Sequence, residues 1–588
     1  MRQFFISLLG SIVGFFIAII LFFVFIATIG GMMAMSMNKK KGAKGAVVLT
    51  LDLRSGFLDH GGNNNLFSDG DRSLVGLVQA LNAAKSDKKI KGLLIRANGY
   101  GLPPAQAEEI RAAIADFKTG GKFVIAHAQG FEGTTLSGYM AIADADEIWI
   151  PDTTGIAMSG YRAEVEFLGG VFEKFDAKPE FVQFYEYKNM ANHYTQKTFT
   201  EPHREAMTAM MQSIYNTAVK NITEDRNLEV DAFTDFIQSA PHSAEDGQTF
   251  GLIDTLGHFA EAREYTKKKA GDKASFVNVF DYTKEYHSGP VIAFIGGQGT
   301  VVPGRSGGGN PFSNKVTMGG DTVSEAFFKA SKDKNVKAIV FRLNTPGGSA
   351  AASDQIWASV EQAKKAGKPV VVSMGQYAAS GGYYVSANAD KIVAWPTTVT
   401  GSIGVVGGKV VIADTLGKVG HNVEAITIGS EFGSAYSAFE PWNQSIREGV
   451  RNSMEDIYVD FTTRVSKGRN IPLERVREIA KGRVWTGEQA KDIGLVDEFG
   501  GFLKAVEIAK SLADIDKDKK VRIKMFPRPL SQQEKLEQLF NISVSTAANL
   551  QELENILKSP EYQAFLKTRE AINNPEHVRM KADIPAIK

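Results

Sequence analysis

The chain has 588 residues, 43% of them hydrophobic, with 67 basic against 66 acidic residues and no cysteine. That length asks for more than one core, so two to four domains are expected. The near-zero net charge gives no basic stripe for nucleic acid, and the absence of cysteine excludes thiolate catalysis, disulfides and Cys-based metal sites. The nine histidines are scattered, with no His-x-x-x-His pair, so no metal is expected.

From Gln3 to Asn38 there is no charged residue, and Phe4 to Ile29 is strongly apolar. The run is long enough to span a bilayer and longer than the core of a signal peptide, so residues 1–38 read as a membrane anchor; a cleaved export signal is the alternative. Lys39, Lys40, Lys41 and Lys44 follow the span, which by the positive-inside rule alone would put the body in the cytoplasm.

Beyond this linker the chain repeats itself. Lys91-Gly92-Leu93-Leu94-Ile95-Arg96 matches Lys337-Ala338-Ile339-Val340-Phe341-Arg342, and Gly121-Lys122-Phe123-Val124 matches Gly367-Lys368-Pro369-Val370. Asp144-Ala145-Asp146-Glu147-Ile148 matches Asn388-Ala389-Asp390-Lys391-Ile392, and Gly251-Leu252-Ile253-Asp254 matches Gly494-Leu495-Val496-Asp497. Ordered matches at a spacing of about 245 residues are a duplication, far too long for a solenoid repeat. In each copy short apolar strands alternate with amphipathic helices, which implies βαβ units and mostly parallel pairing. In the second copy Ser324 to Ser331 and Ser353 to Ala366 read as helices, Ala338 to Leu343 and Val370 to Ser373 as strands. The expected domains are 46–288 and 289–525, followed by a charged, helical tail, 526–588.

The copies differ where chemistry would sit. In Val370-Val371-Val372-Ser373-Met374-Gly375-Gln376-Tyr377-Ala378-Ala379-Ser380-Gly381-Gly382-Tyr383-Tyr384 a strand leads into a turn of small residues and then a helix, leaving Ser380 near a helix N-terminus. Read alone, this is equally a tight Gly-rich connection. The first copy has Thr134-Thr135-Leu136-Ser137-Gly138-Tyr139 there, with either Leu136 or Ser137 opposite Ser380. Asn344-Thr345-Pro346-Gly347-Gly348 offers bare glycine amides, and its counterpart Asn98-Gly99-Tyr100-Gly101-Leu102 loses the second glycine. Ser402 of Thr400-Gly401-Ser402 faces Ile156.

A serine needs a base to act as nucleophile. His421 is the only histidine between Val291 and Ile523 and reads as an exposed loop residue. A lysine can serve when burial lowers its pKa. Phe181 to Lys188 is an aromatic-rich strand ending in a lysine, whereas the second copy's Val423 to Ser430 has Gly429 or Ser430 at that place. Lys188 by itself would also suit a solvated strand end.

Asn-Thr-Pro-Gly-Gly-Ser (344–349), Ala-Ala-Ser-Gly-Gly-Tyr-Tyr (378–384), Thr-Gly-Ser-Ile-Gly-Val (400–405) and Gly482-Arg483-Val484-Trp485-Thr486-Gly487-Glu488-Gln489-Ala490 closely resemble the long, duplicated form of the signal peptide peptidase A family, membrane-anchored bacterial Ser-Lys proteases. The resemblance runs from the anchor to about residue 525. It implies an α/β fold of two tandem crotonase/Clp-like domains, a nucleophile at Ser380, a general base at Lys188, a lysine-orienting hydroxyl at Ser402, and oxyanion donors at the amides of Gly347 and Gly381. Asn189 to Tyr194 depart from the family's Lys-Ser-Ala pattern after the lysine. The resemblance further implies cleaved signal peptides and similar apolar peptides as substrates, no cofactor, a homotetramer, and an inner-membrane anchor with the body on the periplasmic side. An acyl-CoA enzyme on the same fold and an inactive membrane scaffold are the other classes open to this sequence.

Overall fold

The computed structural model describes residues 45–61, 72–282, 288–307 and 316–528, and the backbone of 578–581. The expected anchor and the predicted tail helices (532–540 and 549–557) lie outside the described residues. Among the described residues no helix is long and apolar enough to cross a membrane. Within the expected helical tail, Val578–Lys581 form a strand rather than a helix.

Each half is built on one parallel sheet with the same strand order. In the first half that order is Thr255–Leu256, Glu147–Ile150, Phe123–His127, Ile90–Arg96, Val47–Asp52 and Ser275–Asn278. In the second it is Glu498–Phe499, Lys391–Ala394, Val370–Ala379, Val336–Thr345, Val291–Gln298 and Arg522–Phe526, with every neighbouring pair parallel. Runs such as Val370-Val371-Val372 suit a sheet covered on both faces.

The residues that match between the copies are the ones that tie these sheets. Asp146 Oδ2 accepts the Val124 amide and Asp390 Oδ2 the Val370 amide, both at 2.7 Å. Lys122 Nζ donates to the Asp87 and Ile90 carbonyls; Lys368 Nζ donates to those of Asp333 and Val336. Two 26-residue helices, Glu201–Arg226 and Gln444–Arg469, correspond as well. Thr200 caps one and Asn443 the other, and each ends on a left-handed asparagine, Asn227 and Asn470.

Helix boundaries follow local chemistry. Ser349 Oγ accepts the Ala352 amide and starts the helix at Ala350, three residues before the sequence-based expectation. Val370–Ala379 is longer than expected because its C-terminal residues pair with Val399–Gly401.

A third sheet joins the halves. Its order is Thr317–Gly319, Thr300–Val302, Gly347–Ser349, Val578–Lys581, Val405–Val411 and Lys178–Phe184. The second half's Val405–Val411 runs antiparallel to the first half's Lys178–Phe184 over seven residue pairs. The tail strand lies between Gly347–Ser349 and Val405–Val411, antiparallel to both. A buried ion cluster also spans the halves: Arg342 Nη2 stands 2.6 Å from Asp59 and 2.7 Å from Glu109.

Candidate active site

Ser380 ends the strand Val370–Ala379 and caps the helix Gly381–Ser386. The strand-to-helix turn forces it to φ 54°, ψ −116°, a conformation that costs a non-glycine residue about 1–3 kcal/mol. The turn is held by the Ser380 amide on the Gly401 carbonyl (2.8 Å) and the Tyr384 amide on the Ser380 carbonyl (2.9 Å). Only glycine fits next: a Cβ on Gly381 would stand 2.6 Å from Ser353 Oγ, and one on Gly382 2.7 Å from the Thr345 methyl. Ser380 is fully buried, with Lys188 against its hydroxyl.

Lys188 is 1% exposed and reaches this place from the first half. The strand carrying it stops at Phe184, four residues before the lysine, rather than ending on it as the sequence suggested. The reason is a competing acceptor: the Tyr185 and Tyr187 amides both turn to the Lys481 carbonyl, at 3.1 and 3.2 Å. The turn aims Lys188 Nζ at three oxygens: Ser380 Oγ at 2.9 Å, Ser402 Oγ at 2.9 Å and the Ser402 carbonyl at 3.0 Å.

Ser402, also at positive φ (49°), donates its amide to the Arg483 carbonyl at 2.7 Å, and its hydroxyl lies 3.3 Å from the Gly482 carbonyl. That direction matters. A hydroxyl that donates to Gly482 meets Lys188 with its lone pairs, so both Ser402 oxygens act as acceptors toward the amine. An uncharged amine giving its two N–H groups to them turns its own lone pair toward the Ser380 hydroxyl.

Of the expected oxyanion donors, Gly381 stands at the first turn of its helix, where backbone amides have no intrahelical acceptor. The Gly347 amide donates to Thr345 Oγ1 at 3.1 Å, so that hydroxyl would have to share it with a ligand. His421 is exposed, in the loop expected for it.

The first half lacks this arrangement. Tyr139 OH donates to the Leu252 carbonyl and Tyr383 OH to the Leu495 carbonyl, which fixes the equivalence of the two turns. Leu136, the cap of the short helix Ser137–Met140, therefore takes the place of Ser380. Ser137 corresponds to Gly381 and its Oγ lies 2.8 Å from Tyr161 OH.

Two features escaped the sequence reading. Lys481 lies just outside the motif that begins at Gly482, and neither it nor Gly482 and Arg483 has an expected role, yet the three carbonyls of this segment hold the lysine turn and Ser402. Nothing local marks it, except a Gly-Arg pair just before the capped helix starting at Gly487. The Asp59–Arg342–Glu109 cluster gave no signal either, since its members are far apart in sequence.

Comparison with known proteins puts the chain among the serine-type peptidases. It belongs to peptidase family S49, whose model matches residues 116–273 and 362–516, one stretch in each half and more than half of the chain together. It is 30% identical over 495 residues to "Serine protease SPPA, chloroplastic" of Arabidopsis thaliana, covering 82% of this chain and 71% of that one. "Protease 4" of Haemophilus influenzae is 29% identical over 470 residues, 76% of this chain and 74% of that one. A "Putative signal peptide peptidase SppA" of Enterococcus faecium is 36% identical over 175 residues, 29% of this chain and 50% of that one.

Proposed function

We propose that the chain is a Ser-Lys endopeptidase acting on cleaved signal peptides and similar apolar peptides. The observation that carries this is the 2.9 Å separation of Lys188 Nζ from Ser380 Oγ, two buried groups brought together from 192 residues apart. An amine so enclosed gives up the hydration of its ammonium form, which favours the neutral base. Lys188 takes the Ser380 proton as Oγ attacks the scissile carbonyl, then gives it to the departing amine. Water, activated by the same amine, releases the acyl group. Ser402 orients Lys188. The amides of Gly381 and Gly347 receive the oxyanion, the latter as Thr345 Oγ1 yields it.

The substrate strand takes the place now held by Val578–Lys581, antiparallel to Gly347–Ser349 and Val405–Val411, so main-chain hydrogen bonds align it from both sides. The tail therefore competes with substrate for the slot. The units are crotonase/Clp-like, 46–288 and 289–525. Residues 4–29 anchor the chain in a bacterial inner membrane with the body on the periplasmic side, where such peptides leave the bilayer, and the assembly is a homotetramer. The resemblance of the four motifs supports these assignments.

A serine-reactive fluorophosphonate probe tests the nucleophile: labelling is expected for the native chain and absent in Ser380→Ala, and persistent labelling of that variant would remove the assignment. Lys188→Ala is expected to abolish peptide hydrolysis with an unchanged circular dichroism spectrum; near-normal turnover would place the base elsewhere.

A further inference from the structure

Arg483 ties the two halves together twice, once by its backbone and once by its side chain. Its carbonyl takes the Ser402 amide at 2.7 Å, next to the carbonyl that holds the lysine turn. Its side chain, 15% exposed, reaches the first half. Nη1 and Nη2 donate to the two carboxylate oxygens of Glu205, Nη2 to Oε1 at 2.7 Å. The guanidinium carbon lies 4.4 Å from the centre of the Trp485 ring and 4.9 Å from that of Tyr187, the residue before Lys188. Hydrogen bonds from Arg483, and then one from Tyr187, hold the Glu205 carboxyl below the usual carboxylate range, so the pair is charged at neutral pH.

Glu205 stands on the helix Glu201–Arg226, which turns one face to this part of the second half. At four-residue intervals Glu205 holds Arg483, the Ala209 carbonyl accepts Gln489 Nε2 at 3.3 Å, and Ser213 Oγ lies 2.8 Å from Thr486 Oγ1. Residues four apart lie one above the other on a helix, so three contacts set residues 483–489 against one rigid rod. The duplication marks Arg483 in the same way as the serine and the lysine. Ser243 and Thr486 each open a helix with a capping box, at Ala244 and Gly487, which makes them equivalent. Three residues earlier, Ala240 stands at the place of Arg483, so the copy without the serine turn has no guanidinium there. An ion pair whose carboxylate is 45% exposed contributes little to stability. Its effect is geometric: a bidentate fork between two rings fixes the arginine side chain, and with it the backbone that carries it.

We propose that Glu205 is a positioning residue for the hydrolysis proposed above: by gripping Arg483 from the first half, it fixes the backbone that holds Ser402, and through Ser402 the direction of Lys188. The inference rests on the peptidase reading and adds to it a residue that none of the four motifs contains.

The test uses the full-length chain in detergent and a quenched fluorescent peptide. Glu205→Gln keeps the size of the side chain and removes its charge and one of its two acceptors. Its kcat is expected to fall about 10-fold, with KM within about twofold of native and an unchanged thermal midpoint. Arg483→Lys keeps a charge but not the fork and is expected to lose about as much. The double variant should be no slower than the slower single one, because both changes open the same clamp. Ser213→Ala cuts the same helix face two turns away from Ser402 and should leave kcat within about twofold of native. Native kcat in Glu205→Gln, a loss carried by KM, an equal loss in Ser213→Ala, or a double variant slowed by the product of the two single losses overturns the proposal; hydrolysis by the native chain then leaves the peptidase reading standing. A native chain that neither cuts the peptide nor takes up the fluorophosphonate probe faults that reading, and the role of Glu205 falls with it.

Discussion

Replacing Gly482 by alanine isolates the part that backbone geometry plays in placing Lys188, the proposed base. Gly482 has φ +83°, so an L-residue there carries about 1–2 kcal/mol of backbone strain. The larger effect is contact. A Cβ at 482 would stand 2.5 Å from Lys188 Cβ and 2.6 Å from its Cα and N, about 0.8–0.9 Å inside ordinary contact. Those are backbone-anchored atoms that cannot swing aside, so the lysine turn must retreat by roughly that distance. A retreat of about 0.9 Å takes the Nζ–Oγ separation from 2.9 Å to about 3.8 Å, outside hydrogen-bonding range. Displacement of a catalytic group by about 1 Å costs about 100-fold in rate, or about 2.7 kcal/mol of barrier. Steady-state hydrolysis of a quenched fluorescent peptide should show kcat falling by about that factor with KM little changed, because the strands that flank the slot are untouched. Gly367→Ala is the control: its φ is +73°, but its Cβ would meet nothing within 4 Å, so it should lose only stability. A Gly482→Ala enzyme that keeps more than about a third of native kcat refutes the reasoning.

Ser402→Ala removes the hydroxyl acceptor of Lys188 and should lower kcat about 10- to 100-fold with native-like thermal unfolding, read in the same peptide assay. Arg342→Met leaves Asp59 and Glu109 buried without their cation and should cost about 3–5 kcal/mol, seen as a lower urea midpoint; adding Asp59→Leu and Glu109→Leu should recover much of it. Burial raises the Glu108 carboxyl from its usual 4.5 to about 7, against the Thr397 and Asn221 hydrogen bonds that lower it. Its contribution to stability is full below pH 4.5 and lost as pH rises through about 7, worth up to about 3 kcal/mol. Glu108→Gln should therefore raise the unfolding temperature at pH 8 relative to the native chain and leave it nearly unchanged at pH 5, by differential scanning calorimetry. Deleting residues 529–588 should lower KM for peptides by emptying the slot, with kcat little changed.

The repeats, the alternation of strand and helix, and the serine turn are all local signals, and they are legible in the chain itself. Matched residues such as Asp146 and Asp390 repeat because each staples a strand edge, which is a short-range demand that leaves a mark at a fixed spacing. Ser380 stands out for a similar reason: a non-glycine residue forced to positive φ needs small neighbours, and the glycines after it show that need in one dimension. The identity of Leu136 as its counterpart did not emerge from spacing, because a gap had to be placed, and it took the Tyr139 and Tyr383 hydrogen bonds to place it.

Read in order, the residues yield a duplicated α/β chain in which the serine turn of one copy and the lysine of the other have no counterpart across the repeat. Their meeting, which the family resemblance implies, is brought about by the docking of the two halves. The lysine turn is set by the Lys481 carbonyl, nearly three hundred residues away, and the direction of the Ser402 hydroxyl by Gly482. Hydrogen bonds and close contacts at such separations depend on how the halves dock, which no local propensity encodes.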